Sequence, residues 1–265
     1  MTESRELAPW LRAFEYWWYR YRRTWRGSVA YSFIFPTLYL AAMGLGLGTL
    51  VNHHLGTSIT SLGTTGYLSF VAPGILAGSA MQIAVNESTY PVMGAIRWDR
   101  SYLAQTYTPL SVDDVLAGHV CFMAFRLLIT CLSFCLIMVA FGSVHSWQGV
   151  LAIPVCVLTG LAFALPLAAF AARQDTDAGV STVNRLVVVP LFLFSGSFFP
   201  THQLPGFLRV VALFTPLYHG VALARSCTLG HLMQRASLAH LVYLLGLVLA
   251  GTLVARASYR SRLVS

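Results

Sequence analysis

The sequence YPVMGAIRWDRSYLAQTYTPLSVDDVLAGH, residues 90–119, interrupts an otherwise strongly apolar chain. Its charged side chains are Arg97, Asp99, Arg100, Asp113 and Asp114. Apolar segments long enough to cross a bilayer lie on both sides of it. Because unpaired backbone groups and charges are costly in hydrocarbon, this stretch must stand in water between two membrane spans.

The composition is that of a polytopic membrane protein. Hydrophobic residues make up 57% of the 265 residues and charged residues only 10%, whereas soluble domains average about 25% charged residues. All 17 basic residues are arginine, so the chain has no GxxxxGK phosphate-binding loop and no lysine for a Schiff base. If ATP is used, a different chain must bind it. The net charge of +8 clusters beside the spans and therefore favours contact with membrane lipid rather than nucleic acid.

The N-terminal segment, residues 9–26, predicts an amphipathic helix. At about 100° per residue one face is aromatic and the opposite face carries most of the arginines. Such a helix is typical of a membrane interface rather than of a membrane span. The apolar face consists of Trp10, Leu11, Phe14, Trp17, Trp18, Tyr21 and Trp25.

Hydropathy predicts six transmembrane helices and an all-α fold without separate folding domains in residues 1–265. The predicted spans are 29–50, 67–85, a helix within 115–141, 150–172, 180–199 and 238–255.

Residues 207–223 are apolar enough to resemble a seventh span. Six spans place both termini and most arginines on one side, which the positive-inside rule identifies as cytoplasmic. Seven spans would move the C-terminal arginines outside. We therefore predict that 200–223 is a re-entrant helical hairpin that dips from the outer face between the fifth and sixth spans.

Two ionisable side chains lie near the spans. Asn86 and Glu87 are expected to return the chain to water after the second span. Arg126 lies within the third span and is expected to snorkel or to pair inside the bundle.

The polar stretch 90–119 contains a helix start. Ser111 fits the N-cap position, and Asp113 and Asp114 follow in the first turn near the positive end of the helix. The same pattern suits either a mechanical docking element or an ordinary capped loop helix.

Enzymatic and metal chemistry find little support. A serine–histidine arrangement can be drawn from Ser195, Ser197, His202 and His219, but no GxSxG elbow is present. The adjacent His53 and His54 suit a solvated loop better than a metal site. Paired carboxylates inside the spans, which a proton-coupled carrier would need, are not evident.

Three segments resemble the membrane subunits of ABC-2 type exporters, in the branch that includes the nodulation lipo-oligosaccharide and daunorubicin-type exporters. The first is the aromatic–arginine helix 9–26. The second, YLAQTYTPLSVDDVLAGH at 102–119, is similar to a Y-x-A…TPLS-x-x-D-V-x-x-G passage. The third, FSGSFFPTHQLPGFLRVVALFTPLYHGVALAR at 194–225, is similar to SG-x-FFP…LP…PL-x-x…R.

The resemblance implies a permease dimer of identical or related subunits in the plasma (inner) membrane, with ATP and Mg²⁺ bound by separate ABC ATP-binding subunits and no cofactor on this chain. The segment 90–119 would be the cytoplasmic coupling loop. Contacts with the ATPase are expected at Arg97, Asp99, Arg100, Thr108, Pro109 and Asp113. The outer hairpin would be shaped by Phe198, Phe199, Pro200, Leu204, Pro205 and Pro216.

The sequence does not identify the substrate, because similarity in the structural motifs does not extend to the residues of the binding pocket. The aromatic content suits an amphipathic, lipid-linked or drug-like molecule. A proton-coupled secondary transporter is the alternative function.

Overall fold

The computed structural model describes residues 8–48, 66–198, 200–201, 205–230 and 235–264, and within these ranges all regular structure is helical. The α-helices are α1 (Pro9–Ala41), α2 (Tyr67–Ser88), α3 (Tyr90–Met93), α4 (Ser101–Thr106), α5 (Val112–Ala140), α6 (Ala152–Arg173), α7 (Asp177–Val183), α8 (Val189–Phe194), α9 (Gly206–Leu213), α10 (Pro216–Leu229) and α11 (Arg235–Leu263). Short π-helical stretches follow α1 (Ala42–Leu47) and α3 (Gly94–Trp98) and join α7 to α8 (Asn184–Val188). A 3-10 turn (Trp147–Leu151) precedes α6.

Six helices of the described chain are long and apolar enough to cross a membrane, which confirms the predicted all-α polytopic fold. These candidate spans are Pro9–Gly44, Tyr67–Trp98, Val112–Ala140, Trp147–Arg173, Asp177–Phe194 and Arg235–Leu263.

Helix α2 is the centre of the bundle. It is apolar on all sides and packs against α5, α6 and α10. A small residue also lets the chain after α8 approach α2: a Cβ on Gly74 would lie 2.7 Å from the Cα of Ser197. Helices α1 and α11 lie at the periphery, with exposed apolar side chains such as Leu38 and Leu249. Such faces suit lipid or another membrane helix.

The bundle has two ends that differ in charge. The charged end contains residues 94–111, the start of α5, the turn 174–176 and the last turns of α11. Ion pairs join all four parts. The opposite end contains the turn 141–146, where the His145 N–H donates to the Thr228 carbonyl at 3.0 Å.

The amphipathic segment 9–26 is continuous with the first span, which corrects the predicted separation at residue 29. The single helix α1 has 33 residues, so at 1.5 Å per residue it extends about 50 Å, well beyond a hydrocarbon core of ~30 Å. Nothing between the two segments breaks the helix, because the sequence from Arg26 to Ala30 contains one glycine and no proline.

The aromatic face of this segment exists, but much of it packs on α5. Trp17 and Tyr21 are buried. The Trp17 ring stacks on His119 at 4.3 Å between centroids. Phe14, Trp18 and Tyr21 lie against Phe122 or Phe125, and Trp10 and Trp25 are exposed. The pattern predicted a buried face but could not say whether lipid or protein would cover it.

Gly118 permits the close contact between α1 and α5, and its replacement by alanine is expected to destabilise the bundle by about 1–3 kcal/mol. An added Cβ would lie 2.7 Å from the Phe14 nitrogen and 2.8 Å from the Ala13 carbonyl carbon. Backbone atoms cannot rotate away, so α1 would have to shift. Detergent-micelle unfolding measures the effect.

The matched control is Gly246→Ala in α11, where nothing lies within 4 Å of the added carbon. It is expected to be neutral or stabilising by up to about 1 kcal/mol, because alanine favours a helix over glycine. Equal destabilisation by both variants would contradict the assignment of Gly118 as a packing residue.

In the region of the predicted hairpin, helices α9 and α10 form a helix pair bent by 77°. Pro216 occupies the first turn of α10, and the Thr215 hydroxyl accepts from the Tyr218 N–H at 3.3 Å. The bend reaches inward, since the Tyr243 hydroxyl donates to the Phe214 carbonyl at 2.5 Å. Tyr243 lies eight residues into α11, about 12 Å along that helix.

The hairpin ends at the opposite end of the bundle, where the Thr228 carbonyl accepts from the His145 N–H. Its second arm extends to Leu229 rather than ending at 223, and the fifth span ends at Phe194 rather than at 199. The predictions for Phe199 and Leu204, and those for His53, His54 and His202, fall outside the described residues.

Candidate functional site

Helix α5 begins after Ser111, which occupies the N-cap position as predicted. The Ser111 hydroxyl accepts from the Asp114 N–H at 3.2 Å, and the Asp114 carboxylate accepts from the Ser111 N–H at 3.0 Å. This capping box satisfies two backbone donors of the first turn. The start of α5 is therefore a rigid support for the residues before it.

Asp113 binds the last turns of α11. Its carboxylate accepts from Arg256 at 2.8 and 2.6 Å and from Arg260 at 2.5 Å. The sequence suggested Asp113 as a contact for a partner, but within this chain its two oxygens already bind arginines. Because it joins the start of α5 to α11, Asp113 couples the loop to the C-terminal helix.

Arg97 and Asp99 bind two further elements. Asp99 accepts from Arg20 of α1 at 3.0 Å. Arg97 pairs with Asp175 in the turn after α6, and Asp175 also accepts from Arg262 at 3.0 Å. The exposed pairs are individually weak, contributing about 0–1 kcal/mol each. Together they connect the loop to α1, α6 and α11.

Arg100, Thr108 and Pro109 are exposed on both sides of α4. Arg100 has a left-handed backbone with φ of 49°, which turns the chain sharply into α4. The Thr108 hydroxyl donates to the Gln105 carbonyl at 2.6 Å. These residues shape the tip of the loop.

Two aromatic side chains at this tip are exposed, and sequence reasoning did not select them. Tyr107 is 83% exposed and Trp98 is 63% exposed. Large aromatic side chains are the residues that most often dominate protein–protein interfaces. An aromatic residue within a polar stretch was the signal that could have identified them. We name the surface formed by Trp98, Arg100, Tyr107, Thr108 and Pro109 the loop tip.

Tyr102 fixes α4 to the bundle from beneath. Its side chain is fully buried, and its ring lies 6.2 Å from Trp17 of α1 and 5.5 Å from Tyr259 of α11. Burial raises the pKa of Tyr102 well above its usual range, so the phenol stays protonated. It is hydrogen-bonded to Nδ1 of His119 in α5 at 2.7 Å.

Glu87 does not return to water, contrary to the sequence-based expectation. Its carboxylate accepts from the Arg126 Nε at 2.9 Å, and the two side chains are only 16% and 12% exposed. Arg126 also donates to Ser28 and lies 4.7 Å over the Tyr21 ring. Arg126 is thus paired inside the bundle, and the pair joins α1, α2 and α5.

The described residues predicted to shape the hairpin have separate local roles. Phe198 packs edge-on against Phe192, and its carbonyl accepts from the Tyr67 hydroxyl at 3.4 Å. Pro205 caps α9, and Pro216 begins α10. Ser195 and Ser197 bond to each other at 2.8 Å. Among the described residues no group of three or more metal-binding side chains comes together.

A cavity of about 330 Å³ opens among α1, α2, α5 and α8. Its lining combines aromatic rings with polar groups. It includes Tyr31, Phe35, Tyr39, Gln82, Asn86 and Thr130.

The chain is similar to known proteins over most of its length. Residues 13–229 match the family model described as ABC-2 type transporter. The chain is 31% identical to Nodulation protein J of Rhizobium leguminosarum bv. viciae over 262 residues, covering 97% of this chain and 95% of that protein. It is 33% identical to Nodulation protein J of Rhizobium leguminosarum bv. trifolii over 199 residues, covering 74% and 72%. The protein of the same name from Rhizobium meliloti (strain 1021) is 28% identical over 225 residues, covering 84% and 81%.

Proposed function

Because this chain belongs to the ABC-2 type transporter family, we propose that it is the membrane-spanning permease of an ATP-driven exporter. A separate subunit binds and hydrolyses ATP with Mg²⁺, and this chain performs no chemistry. The permease functions as a dimer with an identical or related subunit. Exposed apolar faces on α1 and α11 provide the surface for lipid or for that second subunit.

The main support for this proposal is the exposed loop tip, to which an ATPase subunit can dock. It projects two exposed aromatic side chains from a segment that ion pairs join to α1, α6 and α11. A movement of the loop tip is transmitted to several spans at once, since the buried Tyr102 attaches the segment to the bundle. An ATPase docked here can therefore move the bundle when it closes on nucleotide.

The protein lies in the plasma (inner) membrane. We place its charged end and both termini on the cytoplasmic side. Arginines of α1 and α11 concentrate there, as the positive-inside rule requires. The transported molecule is amphipathic, lipid-linked or drug-like. The mixed aromatic and polar lining of the 330 Å³ cavity supports this class, because it offers both stacking surfaces and hydrogen-bonding groups.

Removing an exposed aromatic ring from the loop tip is expected to uncouple the ATPase. Trp98→Ala and Tyr107→Ala should each weaken partner binding by about ten-fold or more, since interface aromatics typically contribute at least 1–2 kcal/mol. The measurement is co-purification from mild detergent, followed by an ATPase assay and by ATP-driven transport in proteoliposomes.

The matched control is Trp147→Ala, which removes an 81% exposed aromatic ring at the opposite end. It should leave co-purification and transport unchanged. If no ATPase accompanies the chain in any detergent, or if all three variants behave alike, the docking assignment fails.

A proton-coupled carrier is the second candidate, and the enclosed Glu87–Arg126 pair is the observation that favours it. Transport driven by a proton gradient without any ATPase, and lost in Glu87→Gln, would support the carrier. Dependence on ATP and on the partner supports the permease.

A further inference from the structure

Arg225 of α10 lies at the opposite end among neutral groups. Its Nε and Nη2 donate to the Phe70 carbonyl at 3.2 and 3.1 Å, and Nη2 also donates to the Gly196 carbonyl at 3.1 Å. The guanidinium lies 3.8 Å over the Phe70 ring. These contacts orient the positive charge but do not neutralise it.

No carboxylate is available to balance this charge. The sequence contains no acidic residue in 16–86, 115–174 or 178–265, the segments that build the opposite end. Within the described ranges, the ion pairs of the chain do not include Arg225. Enclosing a guanidinium without an anion is costly, and carbonyl oxygens compensate only in part.

Arg225 lines a cavity of about 170 Å³ between the start of α2, the chain after α8 and α10. Thr201 and Tyr218 also line it. In the part of the chain that the structure describes, neither of these hydroxyls has a hydrogen-bond partner, and the Arg225 Nη1 has none either. The cavity thus combines one unbalanced positive charge with two further donors.

The walls of this cavity are held in place by the bundle. Gly196 has φ of 83°, a left-handed conformation that glycine adopts without strain. The next residue, Ser197, donates to the Gly74 carbonyl of α2 at 3.3 Å. The Gly196 carbonyl is therefore fixed where it accepts from Arg225, so the guanidinium is oriented before any ligand arrives.

We propose that this cavity is a binding site for a phosphate group. Arg225 supplies the charge and a free N–H, and Thr201 and Tyr218 donate to the remaining oxygens. A guanidinium and two hydroxyl-bearing side chains around one cavity offer the positive charge and the hydrogen-bond donors that phosphate requires. The group can be that of a phospholipid headgroup or of free phosphate, and the experiment distinguishes the two.

The test uses the full-length chain in dodecyl maltoside micelles, which contain no phosphate groups, and needs no ATPase partner. Inorganic phosphate is titrated at constant ionic strength, and the thermal unfolding midpoint is recorded. A ligand that binds the folded state raises the midpoint, so a saturable increase is expected. A second series adds phosphatidylglycerol to the micelles in the absence of free phosphate.

The variant Arg225→Gln should weaken phosphate binding by about ten-fold or more, because hydrogen bonds to charged groups contribute most. The matched control is Arg209→Gln, which removes the same charge from an exposed site on α9 and should bind as the parent does. If Arg225→Gln does not fold, Tyr218→Phe and Thr201→Val decide the question. They leave the carbonyl bonds of Arg225 intact and should each weaken binding by about three- to ten-fold.

A midpoint raised by free phosphate identifies a site for a soluble anion. A midpoint raised only by phosphatidylglycerol identifies a headgroup site, and both outcomes support the proposal. The proposal is overturned if neither probe raises the midpoint. It is equally overturned if Arg209→Gln loses the effect as fully as Arg225→Gln, or if the two hydroxyl variants retain it completely.

Discussion

Replacing Glu87 with leucine is expected to lower the free energy of unfolding by about 3–5 kcal/mol, because it leaves the Arg126 charge enclosed without its carboxylate. The pair is among the least exposed ionic contacts of the described chain, with 16% and 12% exposure. It also lies where α1, α2 and α5 meet, so its loss loosens three helices. Unfolding in mixed micelles titrated with SDS measures the change.

The double variant Glu87→Leu/Arg126→Met should recover most of this loss. Replacing both partners of an enclosed pair by apolar side chains of similar volume is often neutral or stabilising. Asp99→Asn serves as the exposed comparison, since it removes the exposed pair with Arg20 and should cost about 1 kcal/mol or less. If the double variant is less stable than Glu87→Leu alone, the pair is not the reason that Glu87 matters.

Tyr102→Ala is expected to destabilise the chain by about 3–5 kcal/mol, the range observed when a large enclosed aromatic side chain is truncated. The ring of Tyr102 is fully buried and contacts Trp17 and Tyr259. Without it α4 loses its attachment to α1 and α11. Unfolding in mixed micelles gives the stability, and ATP-driven transport should fall even when the partner still binds.

The hydroxyl contributes separately from the ring. Tyr102→Phe keeps the packing but leaves the buried His119 Nδ1 without its hydrogen-bond partner, which should cost about 1–3 kcal/mol. The contrasting variant is Tyr107→Ala, an 83% exposed position. It should change stability by less than about 0.5 kcal/mol while weakening partner binding. Similar stability losses at both tyrosines would refute the distinction between an anchoring and a docking residue.

Local signals in the sequence predicted the helical framework well. The helix start predicted at Ser111 formed as expected, and the structure adds a capping box with Asp114, three residues further on. The bend before Pro216 also follows from local chemistry, since proline lacks a backbone N–H and favours the first turn of a helix. The passages at 102–119 and 194–225, which resemble motifs of the ABC-2 type family, extended these local predictions to the arrangement of the whole chain.

Side-chain partners were harder to predict, because they come from segments far apart in sequence. Asp113 looked like a free carboxylate until α11 brought Arg256 and Arg260 beside it, more than 140 residues later. Glu87 looked solvated until α5 supplied Arg126. The sequence alone does not show whether a charged residue near the end of a span contacts water, lipid or another helix.

Composition, periodicity and motif therefore determined that this chain is an all-α membrane protein with six candidate spans and a bent helix pair before the last of them. Those features depend on hydrocarbon thickness and on local helix chemistry, which a linear sequence records directly. Only the tertiary structure decided that the aromatic face of residues 9–26 packs on α5, that Tyr102 anchors the loop, and that Arg225 faces a cavity without an acidic partner. Each of these depends on how the helices pack together, and packing is a property of the assembled bundle rather than of any one segment.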